Sequence, residues 1–285
     1  MNVMGRHVAD MYLWTIALLL AIDSASAYML GTFPYVLIVS VAACIVLELA
    51  IRKLFLNAKN ISIPYSAVIT GLIIGSVAPL GVSLLPVLIA CIVAVIPKFL
   101  LKSRGANIFN PAALGLVVGL GLFSIGSSWW ATSTVNVAGA AISIAVILVI
   151  AAYESRRLVL AFSFIASAIV ISIALSMQFS VSGAEVAILG VNYFFAFLML
   201  TEPKTSPTRP IPQLVYGIYV AVLYFAVTLA SSHSLALAQA SIFIALLIGN
   251  ATYAIYRQLG HKIMRRRHTG SAMPSHIRAE SAANG

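Results

Sequence analysis

The residues best equipped for chemistry lie in one stretch, Lys98-Phe99-Leu100-Leu101-Lys102-Ser103-Arg104-Gly105-Ala106-Asn107-Ile108-Phe109-Asn110-Pro111-Ala112-Ala113, at the mouth of a hydrophobic run. A helix start accounts for Asn110 and Pro111. The asparagine can cap orphan N–H groups, and proline at the first helical position gives up an N–H that has no partner there. A helix start does not account for Lys98 or for Gly105-Ala106-Asn107. Ammonium, amide and hydroxyl groups are the donors that hold a polar heteroaromatic ring whose carbonyl edge gains negative charge on reduction, while apolar or aromatic side chains cover its faces. Lys98, Asn107, Asn110, Thr201 and Thr205 supply such donors, and Phe109, Tyr193, Phe194 and Phe195 such faces. The structural alternatives are a topology anchor for Lys98, turn and cap roles for the asparagines, and packing for the aromatics.

Other titratable residues narrow the chemistry further. Asp23 falls halfway along the first apolar run beside Ser24 and Ser26. An acid at that depth is either an ion or proton relay or one end of a helix–helix hydrogen bond. Glu48 stands four residues before Arg52, a favourable helical pairing, and Glu154 with Arg157 reads the same way. Cys44 and Cys91 lie inside apolar runs; two cysteines cannot hold an iron–sulfur cluster alone, so packing is their reading. His7, His233, His261, His268 and His276 all fall outside the apolar runs, which leaves no axial pair for a membrane heme. No metal site is expected. No Gly-x-Gly-x-x-Gly fingerprint follows a strand, so a nicotinamide reductant would have to reach the chain through a partner.

The elements that must position these residues are membrane helices. The chain has 285 residues, 61% of them hydrophobic and 8% charged, with apolar runs of spanning length that are continuous rather than alternating. Spans are expected over about 11–31, 34–51, 63–79, 83–97, 108–126, 134–152, 158–177, 185–201, 213–231 and 236–256. The first is long enough to stay as a helix rather than be cleaved as a signal peptide. The net charge of +10 does not indicate nucleic acid, because the lysines and arginines sit at segment ends or in the tail. Placing the N-terminus inside puts Arg52, Lys53, Lys59, Lys98, Lys102, Arg104, Arg156, Arg157, Lys204, Arg209 and the tail from Arg257 on one side, while the loops near Thr32, Leu80, Ser127, Ser180 and Ser232 carry no cation.

The expected fold is therefore all-α: a polytopic membrane protein of about ten transmembrane helices, divisible into two inverted five-helix repeats. The repeats would cover about 1–130 and 131–260, and residues 261–285 would form a basic, disordered cytoplasmic tail drawn to anionic lipid. Gly71 and Gly75, four apart, permit close helix approach, and Pro79 cuts the third span short. Trp129-Trp130 suits an outer aromatic belt, or the stacking of a ring. The loop from Glu202 to Pro210, with three prolines, cannot be helical throughout.

Three blocks then carry a resemblance. Ser66-Ala67-x-x-Thr70-Gly71-Leu72, Lys98 with Gly105-x-Asn107-x-Phe109-Asn110-Pro111-Ala112, and Leu200-Thr201-Glu202-Pro203-x-Thr205 resemble the RnfD/NqrB family of membrane flavoproteins, which serve in the Rnf electron transport complex and in the sodium-pumping NADH:quinone reductase. The similarity runs from about Ser66 to Gly260 and includes Asn250. It implies a flavin-binding electron-transfer subunit of a larger redox complex in the plasma membrane, with both termini cytoplasmic and ion movement as a possible coupled process. The cofactor implied is FMN or riboflavin, with Lys98, Asn107, Phe109, Asn110, Thr201, Glu202, Thr205 and Thr208 as the residues around it.

In that family a flavin is esterified to a threonine in an outer loop reading Asp-x-x-Ser-x-Ala-Thr. Here the loop is Gly126-Ser127-Ser128-Trp129-Trp130-Ala131-Thr132-Ser133-Thr134, so Thr132 is the matching residue but the acid is missing. Glu202-x-x-Thr205-x-x-Thr208 has a similar spacing on the inner side. A non-covalent flavin is the expectation. The competing reading is a transporter or channel for a small polar solute or a flavin-like vitamin, since the family fold is similar to that of urea channels. Partners expected are the bilayer and other subunits of a redox complex.

Overall fold

A computed structural model describes residues 3–57, 63–103, 105–130, 138–178, 190–231 and 233–271. In chain order the helices are α1 (Val3–Leu30), α2 (Tyr35–Leu54), α3 (Tyr65–Val77), α4 (Leu84–Val95), the single turn α5 (Pro97–Leu100), α6 (Pro111–Gly121), α7 (Ala138–Glu154) and α8 (Leu158–Gln178). A π-helical turn (Phe195–Met199) follows, then α9 (Pro210–Ala230) and α10 (Leu235–Ser271). Between α5 and α6 the chain forms a two-residue hairpin, β1 (Lys102–Ser103) antiparallel to β2 (Ala106–Asn107), which helical periodicity does not anticipate. Gly105, at φ +80°, makes its turn.

The outside of this bundle is apolar and its inside carries polar groups, the inverse of a water-soluble domain. Trp14, Ile38, Val46, Leu85, Phe162, Val170, Val222 and Ile255 are exposed, whereas Asp23, Glu48, Thr70, Lys98, Asn110, Gln213 and Asn250 are buried. Five helices are long and apolar enough to cross a bilayer, over Leu13–Leu30, Tyr35–Leu54, Leu158–Met177, Pro210–Ala230 and Leu235–Gly260. The chain is a multi-pass membrane protein. Several segments expected to span are shorter than the roughly 20 residues that a hydrocarbon core requires. α3 has 13 residues, α4 has 12 and α6 has 11. Pro79 and Pro97 bound these helices, and Pro111 starts one, so proline positions shorten them. The last helix exceeds expectation instead: it continues to Ser271, past the His261 boundary drawn for the tail.

Helix contacts follow small residues. α1 packs on α3 and α7, α2 on α3 and α4, α4 on α6, and α6 on α10. In the second half α8 packs on α9 and α9 on α10, while the π-helical turn lies between α7 and α8. Gly71 and Gly75 work as the sequence suggests. A Cβ at either would come within 2.6 Å of an α2 backbone atom, at Val41 and Leu37 respectively. Gly115 is tighter still, 2.3 Å from the Ala90 carbonyl oxygen of α4.

The cationic loops gather at one end of the bundle. Lys98 reaches Glu48 near the end of α2, Arg157 reaches the loop after the π-helical turn, and Arg257 of α10 donates to the Ser103 carbonyl of the hairpin at 2.8 Å. At the opposite end Trp130 Nε1 donates to the Gly75 carbonyl at 2.7 Å. The tryptophan pair is not an exposed belt. Trp130 is buried, and Trp129 stacks on Phe243 and meets Phe194 edge-on.

Replacing Gly115 by valine should force α4 and α6 apart, at about 1–3 kcal/mol of overpacking. The thermal unfolding midpoint of the detergent-solubilised protein should therefore fall, whereas Gly121→Val, with open space at its Cβ position, should cost less. Equal losses would show that the α4–α6 crossing does not set the packing.

Candidate functional site

Broken helices meet at the cationic end of the bundle, and the gap between them is a cleft. Thr15 of α1, Ser66 and Thr70 of α3, Asn110 to Ala112 at the start of α6, Ala151 and Ser155 near the end of α7, and Phe197 to Pro203 line its walls. All three sequence blocks therefore face one space. The cavity volume of that space is about 80 Å³, below the ~300–1,000 Å³ usual for small-molecule sites. A second cavity, of about 10 Å³, lies beyond Pro111, which walls both; Lys98, Leu101, Asn107 and Phe109 line it.

The wall between the two cavities is held by Asn110. Its Oδ1 accepts from the Ala113 N–H at 3.0 Å, the cap expected from sequence, and its Nδ2 donates to the Met199 carbonyl at 3.1 Å. Its own backbone N–H donates to Asn250 Oδ1 at 2.9 Å. Asn250, buried in α10, donates through Nδ2 to Tyr216 Oη at 2.8 Å and to the Thr205 carbonyl at 3.4 Å. Inside a membrane the backbone groups released by a helix break need partners. Two amides supply them for α6, the π-helical turn and the following loop together. Asn110 is thereby fully engaged.

Other polar residues of the cleft and its loop are similarly engaged. Thr201 donates to the Phe197 carbonyl, Thr70 to the Ser66 carbonyl at 2.7 Å, and Ser155 to the Ala152 carbonyl at 2.9 Å. Thr205 donates to Glu202 Oε2 at 3.1 Å. Thr208 is exposed, and its carbonyl accepts from Gln213 Nε2 at 3.2 Å. Phe194 and Phe195 pack in the core, the latter against Phe164. Phe109 is half-buried beside the smaller cavity, and Phe197 supplies the aromatic wall of the larger one. Thr132 lies outside the described residues.

Lys98 does not face the larger cleft. Its ammonium, 7% exposed, binds Glu48 Oε2 at 2.6 Å, and Arg52 binds the other oxygen of the same carboxylate. The helical pairing of Glu48 with Arg52 is present; the second partner, fifty residues on, has no local signature. The group as a whole carries one net positive charge beside the smaller cavity. Asn107, next along its wall, is buried with its Nδ2 unpartnered. An orphan buried donor costs about 1–3 kcal/mol.

A further pair was misjudged from sequence. Glu154 is exposed and Arg157 turns away from it into the loop. Arg157 donates through Nε to Ser206 Oγ at 2.7 Å, through its terminal nitrogens to the Pro203 carbonyl at 3.1 Å and to the Ser155 carbonyl. It thereby fixes the loop that carries Glu202. Burial pushes the Glu202 carboxyl up to about 7, against the opposing pull of Thr205, Lys204, Lys98 and Arg157. Its proton affinity therefore lies where it can exchange a proton near neutral pH.

The titration of Glu202 and the burial of Lys98 each have a measurable consequence. Folding raises the Glu202 carboxyl from 4.5 to about 7, so across that window the folded chain binds more protons than the unfolded one. Stability should fall as pH rises through the window and level off above it. Glu202→Gln should flatten this part of the thermal-midpoint profile; an unchanged slope would mean another group is responsible. Lys98→Met should cost about 3–5 kcal/mol by leaving a buried carboxylate short of a partner, and adding Glu48→Gln should recover much of the loss. Additive losses in denaturation of the double variant would show that the pair is uncoupled.

Residues 4–141 match the model of the NQR2, RnfD, RnfE family. That range holds the Ser66–Leu72 and Gly105–Ala112 blocks with Lys98, whereas the Leu200–Thr205 block lies beyond it. No curated protein matches the chain. Residues 4–141, with two of the cleft's three blocks among them, are thus similar to the NQR2, RnfD, RnfE family.

Proposed function

We propose that the chain is a flavin-holding, electron-transfer membrane subunit of an Rnf/Nqr-like redox complex. The observation that carries the reading is the convergence of the three sequence blocks on one cleft, with an unpartnered Asn107 amide beside it. The coarse role, a membrane subunit working with other subunits in the bilayer, accords with the family. The finer reading also places the chain in the plasma membrane with both termini cytoplasmic, and builds it from two inverted five-helix repeats. The packing supports that division, since α1 on α3 is echoed by α7 on the π-helical turn, α2 on α4 by α8 on α9, and α4 on α6 by α9 on α10.

The residues fit a flavin in three respects. Asn107 Nδ2 lacks an acceptor, which a ring carbonyl would provide. The Glu48–Lys98–Arg52 group leaves net positive charge beside that amide, where a reduced ring would gain negative charge. Phe109 and Phe197 present aromatic surface in the two cavities. A bound flavin would supply one- and two-electron carriage. The chain's own contributions are distinct. Asn107 would anchor the polar edge, Asn110 and Asn250 hold the walls apart, Thr201 and Thr205 set the loop, and Glu202 can take or give a proton at the cleft wall. Attachment is non-covalent in this reading, and coupling to ion movement is a possible extension of it.

Absorbance of the detergent-purified chain before and after acid precipitation tests the proposal. Flavin bands should appear in the folded protein and move to the supernatant with acid. Asn107→Leu should abolish them without lowering the thermal midpoint of the flavin-free protein, because it removes a donor that has no partner there. Flavin retained in the pellet would mean covalent attachment. A folded preparation without flavin would sink the proposal and favour a solute transporter, to be sought as solute flux in liposomes.

A further inference from the structure

A second acid lies deeper in the bundle than Glu202. Asp23 of α1 is completely buried; Ser76 Oγ of α3 lies 2.7 Å from its Oδ1 and also 2.7 Å from the Leu72 carbonyl oxygen, so its one hydrogen serves two acceptors, and Asp23 Oδ2 has no partner. Its surroundings offer no counter-charge. α3 and α7 are the helices packed against α1. α3 carries one titratable side chain, Tyr65, at its far end, and α7 carries Tyr153 and Glu154 at the end near the cleft, both exposed. On α1 itself Tyr28 is 88% exposed. Among the described residues nothing positive stands beside Asp23. An ionised carboxylate with one hydrogen bond in such a place is very costly, and a neutral acid is not. No cluster of three or more His, Cys, Asp or Glu occurs among the described residues.

The position of Asp23 relative to the cleft is specific. Thr15 of α1 and Thr70 and Ile73 of α3 line the cleft. Asp23 is eight residues past Thr15 and Ser76 six past Thr70, so the Asp23–Ser76 contact lies about 12 Å and 9 Å farther along the two helices. α1 and α3 therefore run in the same direction from the cleft to this contact. Along their seam Leu19 and Ile22 of α1 and Leu72 and Ile73 of α3 are buried and form an apolar plug, the last of them also lining the cleft. Ser76 lies less than one turn beyond Ile73.

We infer that Asp23 is a membrane-buried proton-holding carboxyl that exchanges its proton with the cleft along the α1–α3 seam. The proton leaves Oδ2, crosses the plug when water enters it, and is accepted in the cleft, whose wall includes Glu202. No electron or bond other than O–H is involved. The inference does not require that the cleft hold a flavin.

Infrared difference spectroscopy of the full chain in liposomes, transferred from H₂O to D₂O at neutral pH, tests it. A protonated-carboxyl band that shifts with labelled aspartate should be present and should be lost in Asp23→Asn. In Ser76→Ala the band should move to higher frequency, because the carbonyl oxygen loses its hydrogen bond; this variant keeps the assignment testable should Asp23→Asn fail to fold. Enlarging the cleft lining by Ile73→Phe should slow the deuterium shift several-fold, with the band itself retained. Absence of an aspartic-acid band in the folded wild type would overturn the inference. So would loss of that band on adding sodium ions, which would mean that a metal ion, not a proton, occupies the site. Unchanged exchange in Ile73→Phe would overturn the route through the cleft. None of these readings depends on bound chromophore, so the inference can fail while the flavin proposal stands.

Discussion

The structure depends on how a helix can be broken inside a bilayer. Each break frees backbone N–H and C=O groups where no water can satisfy them. In this protein two asparagine side chains meet that demand at the point where three broken segments come together. Asn110 caps its own helix and takes the Met199 carbonyl, while Asn250 takes the Asn110 N–H and reaches the Thr205 carbonyl and Tyr216. With those bonds made, irregular backbone can line a cleft at membrane depth. The cleft, its loop and the smaller cavity behind Pro111 are consequences of that one arrangement.

Charge is treated in the same way. The Glu48 carboxylate is buried because Lys98 and Arg52 both bind it, and Arg157 is buried because two oxygens of the loop after the π-helical turn and the Ser155 carbonyl accept its hydrogens. Buried ion pairs seldom add much net stability, but breaking one is costly. Here they fix loop positions around the cleft. Asp23 stands apart, with one hydroxyl partner and no cation among the described residues.

Sequence patterns that act locally translated well into structure. Continuous apolar runs gave membrane helices, Asn110-Pro111 gave a capped helix start, Gly71 and Gly75 gave a close crossing, and the spacing of Glu48 and Arg52 gave an ion pair. The three blocks converged because each lies at a helix end: the first turns of α3, the start of α6 and the loop after the π-helical turn. What the sequence hid depends on distant partners. Lys98 finds Glu48 fifty residues away, and Arg157 prefers the loop carbonyls to nearby Glu154. Trp129 and Trp130 read as interfacial until Phe194, Phe243 and the Gly75 carbonyl enclose them. Short helices resemble full spans in sequence because hydropathy measures apolar length without regard to where proline ends the hydrogen-bond ladder. The hairpin escaped notice because two paired residues leave no periodicity.

The bond between Asn110 and Asn250 joins positions 140 residues apart in the chain. During synthesis, α6 and its capping asparagine exist long before α10 does. Until that last helix is inserted, the Asn110 N–H lacks its partner and the loop carrying Thr205 lacks its tether. The cleft is thus assembled late, by closure of the chain on itself, and its completion reports that the final helix has arrived.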